Sequence, residues 1–229
     1  RQALRLFDNN AILQRISIIA KDSCSDHLAG LGARGIAGTC KDKFNGVTKP
    51  PLLVVIPAKG ALKSFSIGKY EVTNEEWNEY CAATQKCDQK SDAPQIPVVN
   101  VQINQITEYA KWLSEKSGRV YRLPTQAEWF HAASSTQGSV DPNRNCKLST
   151  RGIQKGSELV RTSLGQQNAW GLVNVVGNAQ EIVVNRPGVF SVVGGSYDTD
   201  MSECNLTTIK PYSGAADNFS GFRIVRELR

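Results

Sequence analysis

The spacing of apolar residues along the chain predicts a few helices among many short strands. In residues 3–21 apolar side chains recur three and four positions apart, which predicts an N-terminal helix. The same spacing links Ile103, Ile106, Ala110 and Leu113, and Gly118 is a natural stop. This pattern predicts a second helix over residues 104–117.

Two more helices are indicated by matching start signals. Thr73-Asn74-Glu75-Glu76 and Thr125-Gln126-Ala127-Glu128 are both capping boxes. In such a box the threonine accepts a hydrogen bond from the backbone N–H three residues on, and the glutamate reaches back to the threonine N–H. The boxes predict helices over residues 74–83 and 126–133.

The rest of the pattern consists of short strands and one long polar segment. Strands are predicted at residues 52–56, 65–72, 120–123, 189–193 and 222–225. Residues 134–168 are polar and predicted to be irregular, and a loop of that length is usually functional or tied down. A strand-like run follows the glycine- and lysine-rich stretch that ends near residue 48. We therefore expect a helical extension and linker over 1–48 and one domain over 49–229.

Charge and hydropathy limit the binding partners. The chain has 229 residues and a formal charge of +6, of which residues 1–69 carry +7 and residues 70–229 carry −1. Stacking aromatics are scarce in the basic third, so nucleic-acid binding is not expected. No apolar run approaches the roughly 20 residues of a membrane span. Because the sequence starts at Arg1, we expect any contact with the inner membrane to be made only through an anchor upstream of this residue.

The six cysteines and two histidines further limit the kinds of chemistry that the chain can perform. An even number of cysteines fits an oxidising compartment, and the absence of a CxxC pair argues against zinc. Six cysteines allow 15 pairings. Proximity in sequence favours two disulfides and leaves a third pair: Cys24–Cys40, Cys81–Cys87 and Cys146–Cys204.

Five segments resemble, in order, the motifs of a known family. They are IGKYEVTN at 67–74 with Trp77, YRLPTQAEW at 121–129, GLVNVVGNAQE at 171–181, GGSY at 194–197 and GFR at 221–223. The set resembles the formylglycine-generating-enzyme-like, or sulfatase-modifying-factor, domain over residues 50–229. This resemblance implies an α+β fold similar to an elaborated C-type lectin-like fold, with short strands, few helices and long irregular loops. Arg122 and Arg223, which lie in these motifs, are expected to form structural ion pairs.

The resemblance also identifies where the family's chemistry would lie. Family enzymes oxidise a sulfatase cysteine to formylglycine with copper held by two cysteines, at positions that match Thr199 and Cys204. Cu(I) is soft and prefers thiolates, so a threonine hydroxyl cannot replace one of them. A disulfide between Cys204 and Cys146 would remove the other. We expect no copper and no catalysis. A second enzymatic branch binds iron through three histidines, and this chain has two.

A structural calcium ion is a further implication of the resemblance. The matching ligands are Asn174, Gly177 and Ala179, mainly through their carbonyl oxygens, and the Glu181 carboxylate. Hard oxygen ligands on a tight turn suit Ca²⁺. The alternative is a turn in which Glu181 satisfies backbone N–H groups without a metal.

The function implied by the resemblance is regulatory. Similar domains form the periplasmic part of transmembrane bacterial Ser/Thr kinases or regulate such kinases, including some linked to type VI secretion. We expect a sensor of an unknown periplasmic ligand or protein, with a kinase domain in cis or a kinase partner in trans. The predicted ligand-binding residues, located where family enzymes hold substrate, are Ser196, Tyr197, Thr199 and Asp200. The alternatives are a copper-dependent oxidase with an altered site and a lectin-like ligand-display protein.

Overall fold

The computed structural model describes residues 22–135, 140–150 and 153–228. The predicted helix over 3–21 lies outside these residues. Two short 3₁₀ turns, Asp26–Leu28 and Gly32–Gly38, open the described chain. The long polar segment is largely irregular, as predicted, and its described part contains one short hairpin.

Three α-helices form where the local signals place them. They are α1 (Asn74–Thr84), α2 (Ile103–Ser117) and α3 (Gln126–Ser134). Capping boxes start α1 and α3, with Thr73 bonded to Glu76 and Thr125 bonded to Glu128. Helix α2 ends at Gly118, whose φ of 67° is left-handed, a conformation that costs glycine little. The three predicted helices are therefore confirmed.

Eleven short strands are described, most of them antiparallel to their neighbours. They are β1 (Thr39–Cys40), β2 (Leu53–Ile56), β3 (Phe65–Gly68), β4 (Tyr121–Arg122), β5 (Leu148–Thr150), β6 (Ile153–Lys155), β7 (Gln180–Arg186), β8 (Val189–Val193), β9 (Ile209–Tyr212), β10 (Ser220–Gly221) and β11 (Val225–Glu227). One sheet has the order β1-β2-β3-β11-β4 and a second has β10-β7-β8-β9, while β5 and β6 form the hairpin. Only the β10–β7 pair is parallel among the described strands.

One strand prediction is shifted. Residues 222–225 are predicted as a strand, but β11 begins at Val225. The carbonyls of Ile224 and Phe222 still accept from the N–H groups of Gly68 and Val72. Between them, the Arg223 side chain donates to the carbonyls of Gly68 and Lys69, which interrupts the regular ladder.

Aromatic side chains fill the centre of the core. Trp77, Tyr80, Tyr109, Trp112 and Phe222 form a cluster in which neighbouring ring centroids lie 5.3–6.3 Å apart. All five rings are buried. Because they come from α1, α2 and the segment before β11, this cluster joins two helices to the five-stranded sheet.

The described part of the N-terminal extension belongs to the same structural unit as the domain. Strand β1 pairs with β2 in the five-stranded sheet. Arg226, which is fully buried, donates to the carboxylates of Asp22 and Asp42. The expected boundary at residue 48 therefore does not separate two structural units within the described residues.

Three disulfides join the predicted pairs, Cys24–Cys40, Cys81–Cys87 and Cys146–Cys204. Three disulfides in one chain are typical of proteins that fold in an oxidising environment. Within the described part of the chain, no helix is long and apolar enough to cross a membrane.

Candidate functional site

Residues from the recurring motifs meet in one buried polar network. Arg223 Nη2 lies 2.6 Å from Glu181 Oε1, and Arg223 Nε lies 2.7 Å from Glu181 Oε2. The two side chains are 0% and 1% exposed. Trp129 Nε1 also donates to Glu181 Oε2, at 2.7 Å. Three motifs are thus joined through a single carboxylate.

The remaining N–H groups of Arg223 bind backbone carbonyls. Nη1 donates to Gly68 and Lys69, and Nη2 donates to Val173. All five guanidinium N–H groups therefore have acceptors, which a buried cation requires to be tolerated in the core. The other motif arginine, Arg122, pairs with Glu128 and Glu227 at 2.7 Å each. Both arginines form the ion pairs expected from the sequence.

A second buried carboxyl, Glu71, lies beside this network. It accepts hydrogen bonds from the side-chain amide of Asn178 and from the backbone N–H of Ala179. Burial raises the pKa of Glu71 to about 8, an effect that Arg223 opposes and Glu181 reinforces. This role of Glu71 was not predicted from the sequence, although an acidic residue between the buried β3 strand and the apolar Val72 was a usable signal.

The predicted calcium ligands are close together, but Glu181 does not fit a metal. Its carboxylate accepts from Arg223 and Trp129, so a guanidinium occupies the place next to it that a cation would need. Gly177 and Ala179 donate their N–H groups to the Gly194 carbonyl and the Glu71 carboxylate, and these bonds do not involve the carbonyl oxygens predicted as ligands. No cluster of three or more His, Cys, Asp or Glu that could hold a metal occurs among the described residues.

The metal-free alternative expects Glu181 to bond to protein groups, and its carboxylate accepts three hydrogen bonds from protein side chains. The carboxylate is satisfied without a cation other than arginine. Its partners differ from those expected, because they are the side chains of Arg223 and Trp129 rather than backbone N–H groups. The turn itself is held by left-handed Asn174, Gly177 and Asn178, with φ of 54°, 81° and 61°.

The two positions of the copper pair are adjacent but carry no thiolate. A Cβ placed on Gly195 would lie 3.0 Å from Cys204 Sγ and 3.2 Å from Thr199 Cγ2, so both side chains flank this glycine. Cys204 is bonded to Cys146, and Thr199 Oγ1 accepts from the Ser196 N–H at 2.9 Å. A hydroxyl and a disulfide sulfur do not replace a pair of thiolate ligands for Cu(I).

The four predicted ligand-binding residues divide into two that are buried and two that reach the surface. Ser196 and Thr199 are buried and lie within hydrogen-bond distance of each other. Tyr197 is half-buried, with its ring 5.6 Å from the ring of Phe219, and Asp200 is exposed. Phe219 was missed by sequence reasoning, although it lies two residues before the GFR motif.

The aromatic pair has a defined polar border. Gln180 donates from its N–H to the Phe219 carbonyl and from its side-chain amide to Ser220. Asp198 pairs with Lys147 at 3.1 Å on the exposed surface. We call Tyr197, Phe219 and their border of Gln180, Asp198 and Asp200 the aromatic patch. Such a patch offers ring faces for stacking and polar groups for orientation, which suits binding.

Cavities lie elsewhere in the molecule. One of about 400 Å³ is lined by Asp141, Arg144 and Asn168, among others, and a second of about 450 Å³ lies near Tyr70 and Glu76. Neither is lined by any of the four predicted ligand-binding residues. The aromatic patch therefore lies outside both of these cavities.

Solved structures similar to this chain have the same fold. PvdO from Pseudomonas aeruginosa is 20% identical with a TM-score of 0.68, covering 82% of this chain and 99% of that chain. CarF is 20% identical with a TM-score of 0.60, covering 83% and 96%. Treponema denticola variable protein 1 is 17% identical with a TM-score of 0.57, covering 83% and 94%. At these identities the likeness shows the fold alone.

The fold of these structures confirms the predicted α+β class, an elaborated C-type lectin-like fold. A search of the curated proteins gave no match. The sequence profile described as the sulfatase-modifying factor enzyme 1-like domain matches residues 55–228. Since that match spans three quarters of the sequence, and its motif residues Glu181, Arg223 and Trp129 build the buried network, the chain belongs to the sulfatase-modifying factor enzyme 1-like family.

Proposed function

We propose that this chain is a non-catalytic sensory or regulatory domain. It binds a ligand or partner protein in the periplasm and regulates a transmembrane bacterial Ser/Thr kinase, in cis or in trans. The observation that carries this proposal is the paired change at the copper position, where Thr199 replaces one thiolate and Cys204 is held in a disulfide. A scaffold that keeps its structural network while losing its soft ligands is suited to binding without redox chemistry.

The disulfides support the proposed location. Glutathione and thioredoxin keep cytosolic thiols reduced, so three disulfides favour an oxidising compartment such as the periplasm. A kinase that acts in the cytoplasm then has to be linked to this domain across the membrane. An anchor upstream of residue 1 or a membrane-bound partner would provide that link.

The aromatic patch is the proposed recognition surface. Tyr197 and Phe219 present half-buried rings, and aromatic residues are enriched among those that dominate binding energy at protein interfaces. Backbone hydrogen bonds hold both residues in place: the Tyr197 N–H donates to the Asn178 carbonyl, and the Phe219 N–H donates to the Asp217 carboxylate. A rigid patch of this kind loses little conformational entropy on binding.

Copper titration tests the loss of catalysis. The oxidised protein should bind no Cu(I) in competition with a chromophoric chelator, and should take up no oxygen with a cysteine-containing peptide. The matched variant Thr199→Cys/Cys146→Ala frees Cys204 and adds a second thiol beside Gly195, so it should bind one Cu(I). Stoichiometric Cu(I) binding with oxygen uptake by the unaltered protein would instead support an oxidase with an altered site.

A kinase assay tests the regulatory role. In membrane vesicles containing the full-length kinase, or this protein with its kinase partner, Tyr197→Ala and Phe219→Ala should change autophosphorylation several-fold. Lys63→Ala, on an exposed loop, is the control and should leave it unchanged. The proposal fails if the patch variants behave like the control, or if the full-length protein has a cytosolic enzyme domain and no membrane span.

A further inference from the structure

A solvent-accessible groove lies at the N-terminal end of helix α1, separate from the aromatic patch. It encloses about 450 Å³ between residues 48–52, the start of α1 and Thr162. This volume is within the roughly 300–1,000 Å³ of small-molecule sites. None of its lining residues belongs to the aromatic patch. The groove therefore constitutes a second, independent candidate site.

The base of the groove is apolar and one wall is aromatic. Val72 and Ile224 are 2% and 1% exposed and line it together with Pro51. Tyr70 is half-buried and also lines it. Lys69 Nζ lies 5.9 Å from the centroid of this half-buried ring, and the part of the ring that reaches the groove gives a flat surface against which the C–H groups of a ligand can pack.

Hydroxyl groups without partners are present in the same groove. Thr162 is only 4% exposed, yet its hydroxyl makes no hydrogen bond with any described residue. The Tyr70 hydroxyl likewise has no hydrogen-bond partner in the described part of the chain. Both hydroxyls border the groove and are available to hydrogen-bond a ligand or solvent there.

Glu76 adds a carboxyl with one unused oxygen. Its Oε2 accepts from the Thr73 N–H at 2.7 Å and from the Thr73 hydroxyl at 2.8 Å, while Oε1 has no partner among the described residues. Burial raises the pKa of Glu76 to about 7, so both protonation states exist at neutral pH. The free oxygen can thus accept a hydrogen bond when ionised, or the carboxyl can donate one when protonated.

The charges around the groove balance. Its lining contains two lysines, Lys41 and Lys49, and two glutamates, Glu75 and Glu76. Lys49 and Glu75 already face each other at 3.4 Å. Because Glu76 is only partly ionised at neutral pH, the lining carries at most a small net charge, and a neutral ligand that is rich in hydroxyls matches it better than an ion.

From these contacts we propose that the groove binds a neutral carbohydrate of one or two sugar rings. The ring C–H face packs on Tyr70, and vicinal sugar hydroxyls bond to Thr162 and to the free oxygen of Glu76. Sugar hydroxyls donate and accept at once, as these partners require. This site does not depend on the proposed kinase role, and either proposal can fail without the other.

An NMR titration tests the groove with defined probes. Amide spectra are recorded with maltose, cellobiose and N,N′-diacetylchitobiose, and at least one should give saturable shifts at Thr73, Thr162 and Ser163. Thr162→Val should weaken Kd about tenfold, which is the loss of one hydrogen bond of about 1.4 kcal/mol. Glu76→Gln keeps an amide that can bond a sugar hydroxyl, so it should change Kd less. Glutamine is accepted at this position of a capping box, so the second variant keeps the start of α1.

Matched controls make the titration decisive. Lys63→Ala, on an exposed loop outside the groove, should leave the carbohydrate shifts unchanged, and the amide spectra themselves report whether each variant is folded. The proposal is overturned if no probe gives saturable shifts in the wild-type protein. It is also overturned if the shifts persist at full strength in Thr162→Val, or if triglycine produces them and the sugars do not.

Discussion

Glu181 and Arg223 form a fully buried, two-bonded ion pair, with N···O distances of 2.6 and 2.7 Å. They belong to two motifs that lie 42 residues apart in sequence. Their pairing shows that both motif residues are structural in this chain. The carboxylate that the resemblance implies as a metal ligand is instead the counterion of a buried guanidinium.

Breaking this pair from one side should be costly. Arg223→Met removes the counterion of Glu181 and the arginine hydrogen bonds to three carbonyls, so we expect a loss of about 3–5 kcal/mol in the free energy of unfolding. The matched control is Arg122→Met, because Arg122 is the other motif arginine and is 33% exposed. It should cost about 1 kcal/mol, as partly exposed pairs contribute little.

Urea unfolding followed by tryptophan fluorescence measures both variants. If Arg223→Met is too unstable to purify while Arg122→Met is normal, the ranking still holds. Equal losses for the two variants would show that burial does not increase the contribution of the Glu181–Arg223 pair to the free energy of unfolding.

Calcium should not stabilise the protein through Glu181. An ion there would compete with Arg223, which makes five hydrogen bonds of its own, for a carboxylate that already accepts three. We expect the thermal midpoint to be the same in millimolar Ca²⁺ and in EDTA. A saturable rise in the midpoint with Ca²⁺ that persists in Glu181→Gln would instead indicate a site built from carbonyls alone.

Local signals explain why the helices and disulfides could be predicted. Capping boxes act within four residues, so Thr73 and Thr125 marked the starts of α1 and α3 directly. Proximity in sequence was enough to pair Cys24 with Cys40 and Cys81 with Cys87, which left the third disulfide by elimination. Such features depend on neighbours along the chain, which a sequence displays.

Non-local contacts explain what was not predicted. Arg226 pairs with Asp42 and Asp22, which lie 184 and 204 residues away in the sequence. The hydrophobic pattern of the sequence contains no signal for such a pairing. The parallel pairing of β10 with β7 fixes Phe219 beside Gln180, and thereby builds the aromatic patch. Glu71 was overlooked because its partners, Asn178 and Ala179, lie 107 and 108 residues away.

The disulfides should contribute unequally to stability. Cys146 and Cys204 are 58 residues apart, whereas Cys81 and Cys87 are only 6 apart. In the chain-entropy description, the disulfide that closes the longer loop stabilises the folded protein by about 4 kcal/mol, and the one that closes the shorter loop by about 2 kcal/mol. Replacing both cysteines of each pair with alanine, followed by urea unfolding, should therefore destabilise the Cys146–Cys204 variant more. A larger loss for the Cys81–Cys87 variant would contradict this expectation.

Glu71 should make the stability of the protein depend on pH. Burial raises its pKa from 4.5 to about 8, so the folded protein holds a proton that the unfolded chain releases at lower pH. The stability contributed by this carboxyl is complete below pH 4.5 and falls as the pH rises through about 8. Within that window the loss approaches about 1.4 kcal/mol for each pH unit, the limit for one proton.

The variant Glu71→Gln isolates this effect, because glutamine does not titrate and still accepts from Asn178 and Ala179. Urea unfolding of both proteins at a series of pH values from acid to mildly alkaline gives the difference in unfolding free energy. Glu76, whose pKa is raised to about 7, titrates in both proteins and cancels in the difference. The advantage of the wild type should shrink as the pH rises and then level off above the pKa of Glu71. Parallel curves over the whole range would show that Glu71 is not a buried proton-binding group.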